Sequence, residues 1–123
     1  MAGYISKAGH NVTVYNRTSS KAEKWAKEHK GKIAKTPAEA AKDSDFVFTC
    51  VGNDNDLKEV TIGKKGIFNT IKKNSIYIDN TTASAKVARE LHKNAKAHGF
   101  GFLDAPVSGG QAGAESGLSL IHI

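Results

Sequence analysis

At 123 residues, with 39% hydrophobic and 24% charged residues, the chain has the length and composition of one soluble globular domain able to bury a core. No apolar run approaches the roughly 20 residues of a membrane-spanning helix, and Met1 to His10 is too polar for a signal peptide. The net charge of +6 favours anionic partners such as phosphates or nucleotides, but the lysines are scattered without interleaved aromatic residues, which argues against nucleic acid.

Met1 to Ala8 reads as the last turns of a helix, with Ile5 facing inward and Gly9 as its stop. Asn11 to Tyr15 alternates and is β-branched, as a strand is, and it ends at Asn16-Arg17-Thr18. Ser20 and Glu23 fit a capping box opening a helix to about His29, with Trp25 on its buried side. Lys21, Lys24 and Lys27 share one face of that helix, as solvated residues do. Lys32 to Ala34 follows as a short strand. Thr36-Pro37-Ala38-Glu39 is a second capping box with proline at the first helical position, and Asp43-Ser44-Asp45 breaks the helix it opens.

Phe46 to Val51 is a continuous apolar run, as expected of a strand covered on both faces in a parallel sheet. Within it Cys50, the single cysteine, reads as a small buried hydrophobe. It cannot form an internal disulfide, so a reducing, cytoplasmic setting is expected. Gly52 to Asp56 is a loop, followed by a weakly patterned helical stretch and a Gly63/Gly66 turn. Ser75 to Asp79 is another buried strand, ending in Asn80-Thr81-Thr82. Ser84 to His98 is the clearest helix, with Val87, Leu91 and Ala95 on one face and Gly99 closing it. Phe100 to Leu103 is a strand leading into Asp104-Ala105-Pro106-Val107-Ser108-Gly109-Gly110, a glycine-rich loop that runs on through Gly113 and Gly117. Leu118 to Ile123 is a candidate for one more strand.

Strand–helix alternation with short polar loops predicts an α/β fold built on a doubly wound parallel sheet. Right-handed crossovers would set Asn16-Arg17-Thr18, Val51-Gly52-Asn53 and Asn80-Thr81-Thr82 along one edge, where a dinucleotide binds. An arginine at the place of Arg17 accommodates a ribose 2′-phosphate, with Asn16 and Thr18 as added donors; an ordinary surface arginine is the alternative. Thr81 and Thr82 can contact ribose or nicotinamide, or cap the next helix. Asp104 can order the following turn. Ser108-Gly109-Gly110 can present a hydroxyl and backbone N–H groups to a small anion, or serve as a mobile connector. The histidines show no metal-ligand spacing.

The Asp104–Gly110 stretch, with Gly113-Ala114 and Gly117-Leu118 behind it, resembles the substrate-binding signature of the β-hydroxyacid dehydrogenases. That family includes 3-hydroxyisobutyrate dehydrogenase and the glyoxylate/succinic semialdehyde reductases, with 6-phosphogluconate dehydrogenase more distant. The resemblance extends over essentially the whole chain, through Gly9 to Thr18 and Ile78 to Thr82. It implies a Rossmann-like domain lacking its first strand and Gly-x-Gly-x-x-Gly loop. Ser108, Gly109 and Gly110 would then hold the substrate carboxylate or its neighbouring hydroxyl. Asn16, Arg17 and Thr18 would bind the adenosine ribose end, Val51 and Gly52 would line the cofactor, and Thr82 would contact the nicotinamide side. Asp56 stands where some members carry a cofactor-contacting Asn.

On that resemblance residues 1–123 are a partial NAD(P)-binding domain. Its parent is an NAD(P)-dependent dehydrogenase or reductase, homo-oligomeric, with NADP favoured by Arg17 and NAD possible. The substrate class is a small 3-hydroxy acid, semialdehyde or 2-oxo acid, with no metal, nucleic acid or membrane involved. The family's catalytic lysine lies in an all-helical second domain, so no catalytic residue is assigned here. A non-catalytic NADP-binding scaffold of the same fold is the alternative. Alone, the 123 residues are expected to be inactive, weak in cofactor affinity and poorly stable, because a strand beside the missing one lacks its partner.

Overall fold

The structure, a computed structural model describing residues 1–117, alternates helix and strand throughout. Helix α1 spans Ala2–Lys7, β1 Thr13–Val14, α2 Ser19–Glu28, β2 Lys32–Ile33, α3 Pro37–Ala41 and β3 Phe46–Thr49. Then follow α4 (Asp54–Ile62), a 3-10 turn (Ile67–Asn69), β4 (Ile76–Asp79), α5 (Ala85–His98), β5 (Gly101–Asp104) and α6 (Gly110–Glu115). The strands form two parallel sheets, β1-β2 and β3-β4-β5. The chain divides into two compact units. One is Met1–Thr36 with the described residues from Ser108; the other is Pro37–Val107. Among the described residues no helix is long and apolar enough to cross a membrane. The candidate strand at Leu118 to Ile123 lies outside the described residues.

In the first unit, Thr13 pairs with Lys32 and Val14 with Ile33. Trp25 packs over the turn into β2 so closely that a Cβ on Gly31 would stand 2.4 Å from its ring; only glycine fits there. Helix α2 starts at Ser19, ahead of the expected Ser20–Glu23 box, and its N-cap Thr18 makes no side-chain cap bond. The Thr18 N–H donates to Asn16 Oδ1 at 2.9 Å instead, so an Asx turn provides the local order a capping box would have given. The glycine-rich stretch is not loop throughout. Gly109 (φ 108°) and Gly110 (φ 58°) turn the chain with left-handed backbones, and Gln111 to Glu115 then continue as α6, with a 2.7 Å i, i+4 bond between their side chains. The Tyr4 hydroxyl donates to the Glu115 carbonyl, tying α1 to α6.

In the second unit, β3, β4 and β5 pair in register, Val47 beside Tyr77 beside Phe102 and Thr49 beside Asp79 beside Asp104. Val47 and Tyr77 face a core made with Leu57 of α4, Val87, Leu91 and Ala95 of α5, and Phe68 and Phe100. Each large apolar side chain buried this way contributes about 1.5–3 kcal/mol. Helix α5 forms where its pattern predicts, with the Ser84 hydroxyl accepting the Val87 N–H at 3.3 Å and Gly99 ending it at φ 81°. The expectation of a strand covered on both faces fails for β3. Phe46 is 58% and Phe48 44% exposed, and Leu103 on β5 is 54% exposed, while their neighbours Ile76 and Ile78 on β4 are half-buried. Cys50 is likewise exposed rather than buried.

Candidate functional site

Parallel strands β3 and β4 end side by side, and side chains extend their pairing past the last backbone rung, where the Asn80 N–H donates to the Thr49 carbonyl at 2.8 Å. Beyond it the Val51 N–H donates to Thr81 Oγ1 at 3.1 Å, and the Thr81 N–H donates to Asp79 Oδ1 at 2.9 Å. Thr49 Oγ1 donates to the same Asp79 oxygen at 2.9 Å. That uses the one hydroxyl proton Thr49 has, so in the 2.6 Å contact between Thr49 and Tyr77 it is the tyrosine that donates. Burial, with the Asp79 charge adding to it, raises the Tyr77 hydroxyl far above its ordinary value.

The chain leaves these strand ends to form the walls of an open cleft of about 350 Å3. Gly52, Asn53, Asp54 and Asn55 line one side, and Thr82, Ala83 and Ser84 the other. Asn53 caps α4 reciprocally. Its Oδ1 accepts the Asp56 N–H at 2.9 Å and its Nδ2 donates to Asp56 Oδ2 at 3.1 Å. Asp56 is thus engaged in a helix cap. Across the rim, Asp54 Oδ1 accepts the Ser84 N–H at 2.9 Å, and Oδ2 accepts the Ser84 hydroxyl. The starts of α4 and α5, where backbone N–H groups are concentrated, therefore border the same cleft.

The Ser84 hydroxyl and then its N–H hold the Asp54 carboxyl below its ordinary value, with a smaller contribution from Lys58. A depressed folded value means the clamp's contribution is present above the ordinary carboxylate range and is lost as pH falls through the lower value. Acidification is expected to release the rim, with the Ser84 amide resonance shifting only below the range of free carboxylates. A midpoint within the free range would contradict the clamp.

In the first unit a second open cleft, of about 230 Å3, lies at the carboxyl end of β1, lined by Val14, Tyr15, Asn16, Lys21, Ala22 and Trp25. Arg17 and Thr18 are exposed beside Asn16. Lys21, Lys24 and Lys27 are exposed as expected, and Lys21, four residues after Arg17 in the first turn of α2, also lines this cleft. Ser108 is exposed and precedes the two left-handed glycines at the start of α6. A Cβ on Gly110 would meet nothing within 4 Å, so backbone conformation and not crowding requires glycine there.

The expected site residues thus fall in three places. Gly52 and Thr82 line the β3–β4 cleft, whereas Val51, expected with them, packs against the core just before the cleft wall begins; Asn16, Arg17 and Thr18 share the β1 end, and Ser108, Gly109 and Gly110 open α6. Neither Thr81 nor Thr82 caps α5, because Ser84 does. Thr81 is buried, while the Thr82 hydroxyl donates to the Val107 carbonyl at 3.4 Å. Among the described residues the turn after β5 is ordered from Asn80: Asn80 Nδ2 donates to the Ala105 carbonyl at 2.7 Å and the Val107 N–H donates to the Asn80 carbonyl at 3.3 Å. Among the described residues no three His, Cys, Asp or Glu side chains gather to hold a metal ion.

The sequence profile of the NAD binding domain of 6-phosphogluconate dehydrogenase matches residues 1–122. An uncharacterized oxidoreductase of Shewanella frigidimarina is 55% identical over 117 residues, which cover 95% of this chain and 40% of that protein. The Arabidopsis thaliana protein named "Probable 3-hydroxyisobutyrate dehydrogenase-like 3, mitochondrial" is 40% identical over 118 residues, 95% of this chain and 36% of its own length. The solved structure of Mycobacterium tuberculosis 3-hydroxyisobutyrate dehydrogenase with L-serine superposes with a TM-score of 0.82 at 29% identity, over 94% of this chain and 38% of that one. The chain therefore spans 36% to 40% of the length of these two curated relatives. Parallel sheets, clefts at strand ends and a match running over nearly every residue agree: the chain has a Rossmann-like fold and belongs to the family of the NAD-binding domain of 6-phosphogluconate dehydrogenase.

Proposed function

We propose that this chain is the dinucleotide-binding part of an NAD(P)-dependent dehydrogenase or reductase acting on a small 3-hydroxy acid, semialdehyde or 2-oxo acid, with NADP(H) favoured. The observation that carries the reading is the cleft between Gly52 and Thr82 at the carboxyl ends of β3 and β4, the place where open α/β sheets bind ligands. The residues present fit such a cofactor. The cleft borders the amide-rich starts of two helices, and the β1 end carries Asn16, Arg17, Thr18 and Lys21, a set suited to a dianionic phosphate.

Within this reading Asn16, Arg17 and Thr18 take the adenosine ribose and its 2′-phosphate. Val51 and Gly52 line the cofactor and Thr82 lies toward the nicotinamide. Ser108, with the backbone of Gly109 and Gly110, receives the substrate carboxylate or its neighbouring hydroxyl. The bound nicotinamide supplies the hydride chemistry; the part played by this chain is to bind and orient, and no proton transfer is assigned to it. The test is turnover by the full-length protein with short hydroxyacids and semialdehydes, each with NADP(H) and NAD(H). Oxidation or reduction of at least one substrate, faster at limiting NADP(H) than NAD(H), is expected. No turnover with either nicotinamide would sink the reading.

A further inference from the structure

A charged carboxylate retained in a protein interior is costly unless both of its oxygens are satisfied. Asp79 is fully buried, at 0% exposure. Its Oδ2 finds no hydrogen-bonding partner among the described residues. Its Oδ1 accepts two donors, the Thr49 hydroxyl and the Thr81 N–H, both at 2.9 Å. The β3–β4 ladder has its own backbone rungs, and the bonds of Asp79 go to side chain and backbone at the strand ends: to Thr49, which in turn accepts the Tyr77 hydroxyl of the core, and to Thr81. The work of Asp79 therefore lies in what it holds.

Thr81 is 1% exposed, and its amide is fixed by Asp79. Its hydroxyl oxygen accepts the Val51 N–H at 3.1 Å, across 30 residues of sequence. One residue beyond Val51 is Gly52, and one residue beyond Thr81 is Thr82, which are the first residues of the two cleft walls. Asp79 to Thr81 to Val51 is thus a brace at the root of the cleft, and Asp54 to Ser84 is a second at its rim. The rim brace is made by exposed groups in competition with water, whereas the root brace runs from a buried bond at Asp79 to a part-buried one at Val51, where a hydrogen bond is stronger and its loss more costly.

We propose that Asp79 and Thr81 are positioning residues for the dinucleotide, acting through the spacing of Gly52 and Thr82 without touching the ligand themselves. The proposal rests on the dinucleotide reading above. Its test uses the full-length protein and two ligands, NADPH and 2′,5′-ADP, the second of which reports on the Asn16-Arg17-Thr18 end alone. Thr81→Val keeps the shape and removes the acceptor for the Val51 N–H. It is expected to raise the Kd for NADPH by about tenfold while 2′,5′-ADP stays within about twofold of wild type. Thr81→Ser, which keeps the hydroxyl, should restore wild-type NADPH affinity. Asp79→Asn should act in the same direction as Thr81→Val. Exchange of the Val51 amide with solvent, measured without ligand, should accelerate in Thr81→Val while the Tyr77 amide stays protected.

An unchanged NADPH Kd in Thr81→Val would overturn the proposal. So would a matching loss of 2′,5′-ADP affinity, which signals general unfolding, or a Thr81→Ser variant as weak as Thr81→Val. Wild-type protein that binds neither NADPH nor NADH would overturn the dinucleotide reading itself, a result recognisable before any variant is made.

Discussion

Arg17→Asp in the full-length protein is expected to weaken NADPH binding by roughly ten- to a hundredfold and NADH binding by less than about threefold. A charge-assisted pair between a guanidinium and a phosphate contributes roughly 1.5–3 kcal/mol, and each 1.4 kcal/mol is about a factor of ten in Kd. The aspartate adds repulsion toward a 2′-phosphate, yet it can accept from the free 2′-hydroxyl of NADH. The site favours such a contact: Arg17 sits between Asn16 and Thr18, whose backbone is held by the 2.9 Å bond from the Thr18 N–H to Asn16 Oδ1. Because Arg17 is exposed, salt should narrow the difference between the two cofactors. Calorimetric Kd values for both, at low and high salt, check this. An equal loss for NADPH and NADH would remove Arg17 from the 2′-phosphate.

Tyr77→Ala should be the most damaging single core change in the second unit, costing about 3–5 kcal/mol and lowering the thermal midpoint by more than about 10 °C. Tyr77 is fully buried, with Phe68 edge-on at 5.3 Å and Phe102 tilted at 5.6 Å. Truncation leaves a cavity those rings cannot fill without moving the 3-10 turn and β5. Tyr77→Phe isolates the hydroxyl: Thr49 keeps its own bond to Asp79 and loses one that it accepts, so the cost should be about 1 kcal/mol. If the two variants unfold at the same temperature, packing is not the main role of Tyr77. The raised hydroxyl value adds a pH dependence. The unfolded chain releases this proton near the ordinary value of 10.0 and the folded chain holds it. Stability is therefore whole below that pH and falls as pH rises above it, and Tyr77→Phe should abolish this share of the alkaline loss.

Much of the fold was legible because it rests on local terms. Helix α5 shows its apolar stripe, its Ser84 cap and its Gly99 stop within one short stretch, each acting over a few residues. Pro37 opens α3 where a proline at the first helical position should. The misses share a cause. Phe46, Phe48 and Cys50 formed an apolar run whose burial depended on what covers each face, and a run cannot say that. Thr81 and Thr82 offered the same hydroxyl in the sequence, yet one is buried as an acceptor for Val51 and the other is exposed.

The sequence by itself determined the alternation of helix and strand, the parallel pairing of the strands and the family, since these follow from periodicity and a long motif; that the strands fall into two sheets rather than one, and that Gly110 opens a helix, came only with the structure. Only the tertiary structure decided which strand-end residues meet. The Val51–Thr81 and Asp54–Ser84 contacts each join residues 30 apart. They exist because β3 and β4 pair with Thr49 opposite Asp79. A slip of one residue in that register would turn every alternate side chain to the other face, dissolving the brace while leaving the pattern in the sequence unchanged.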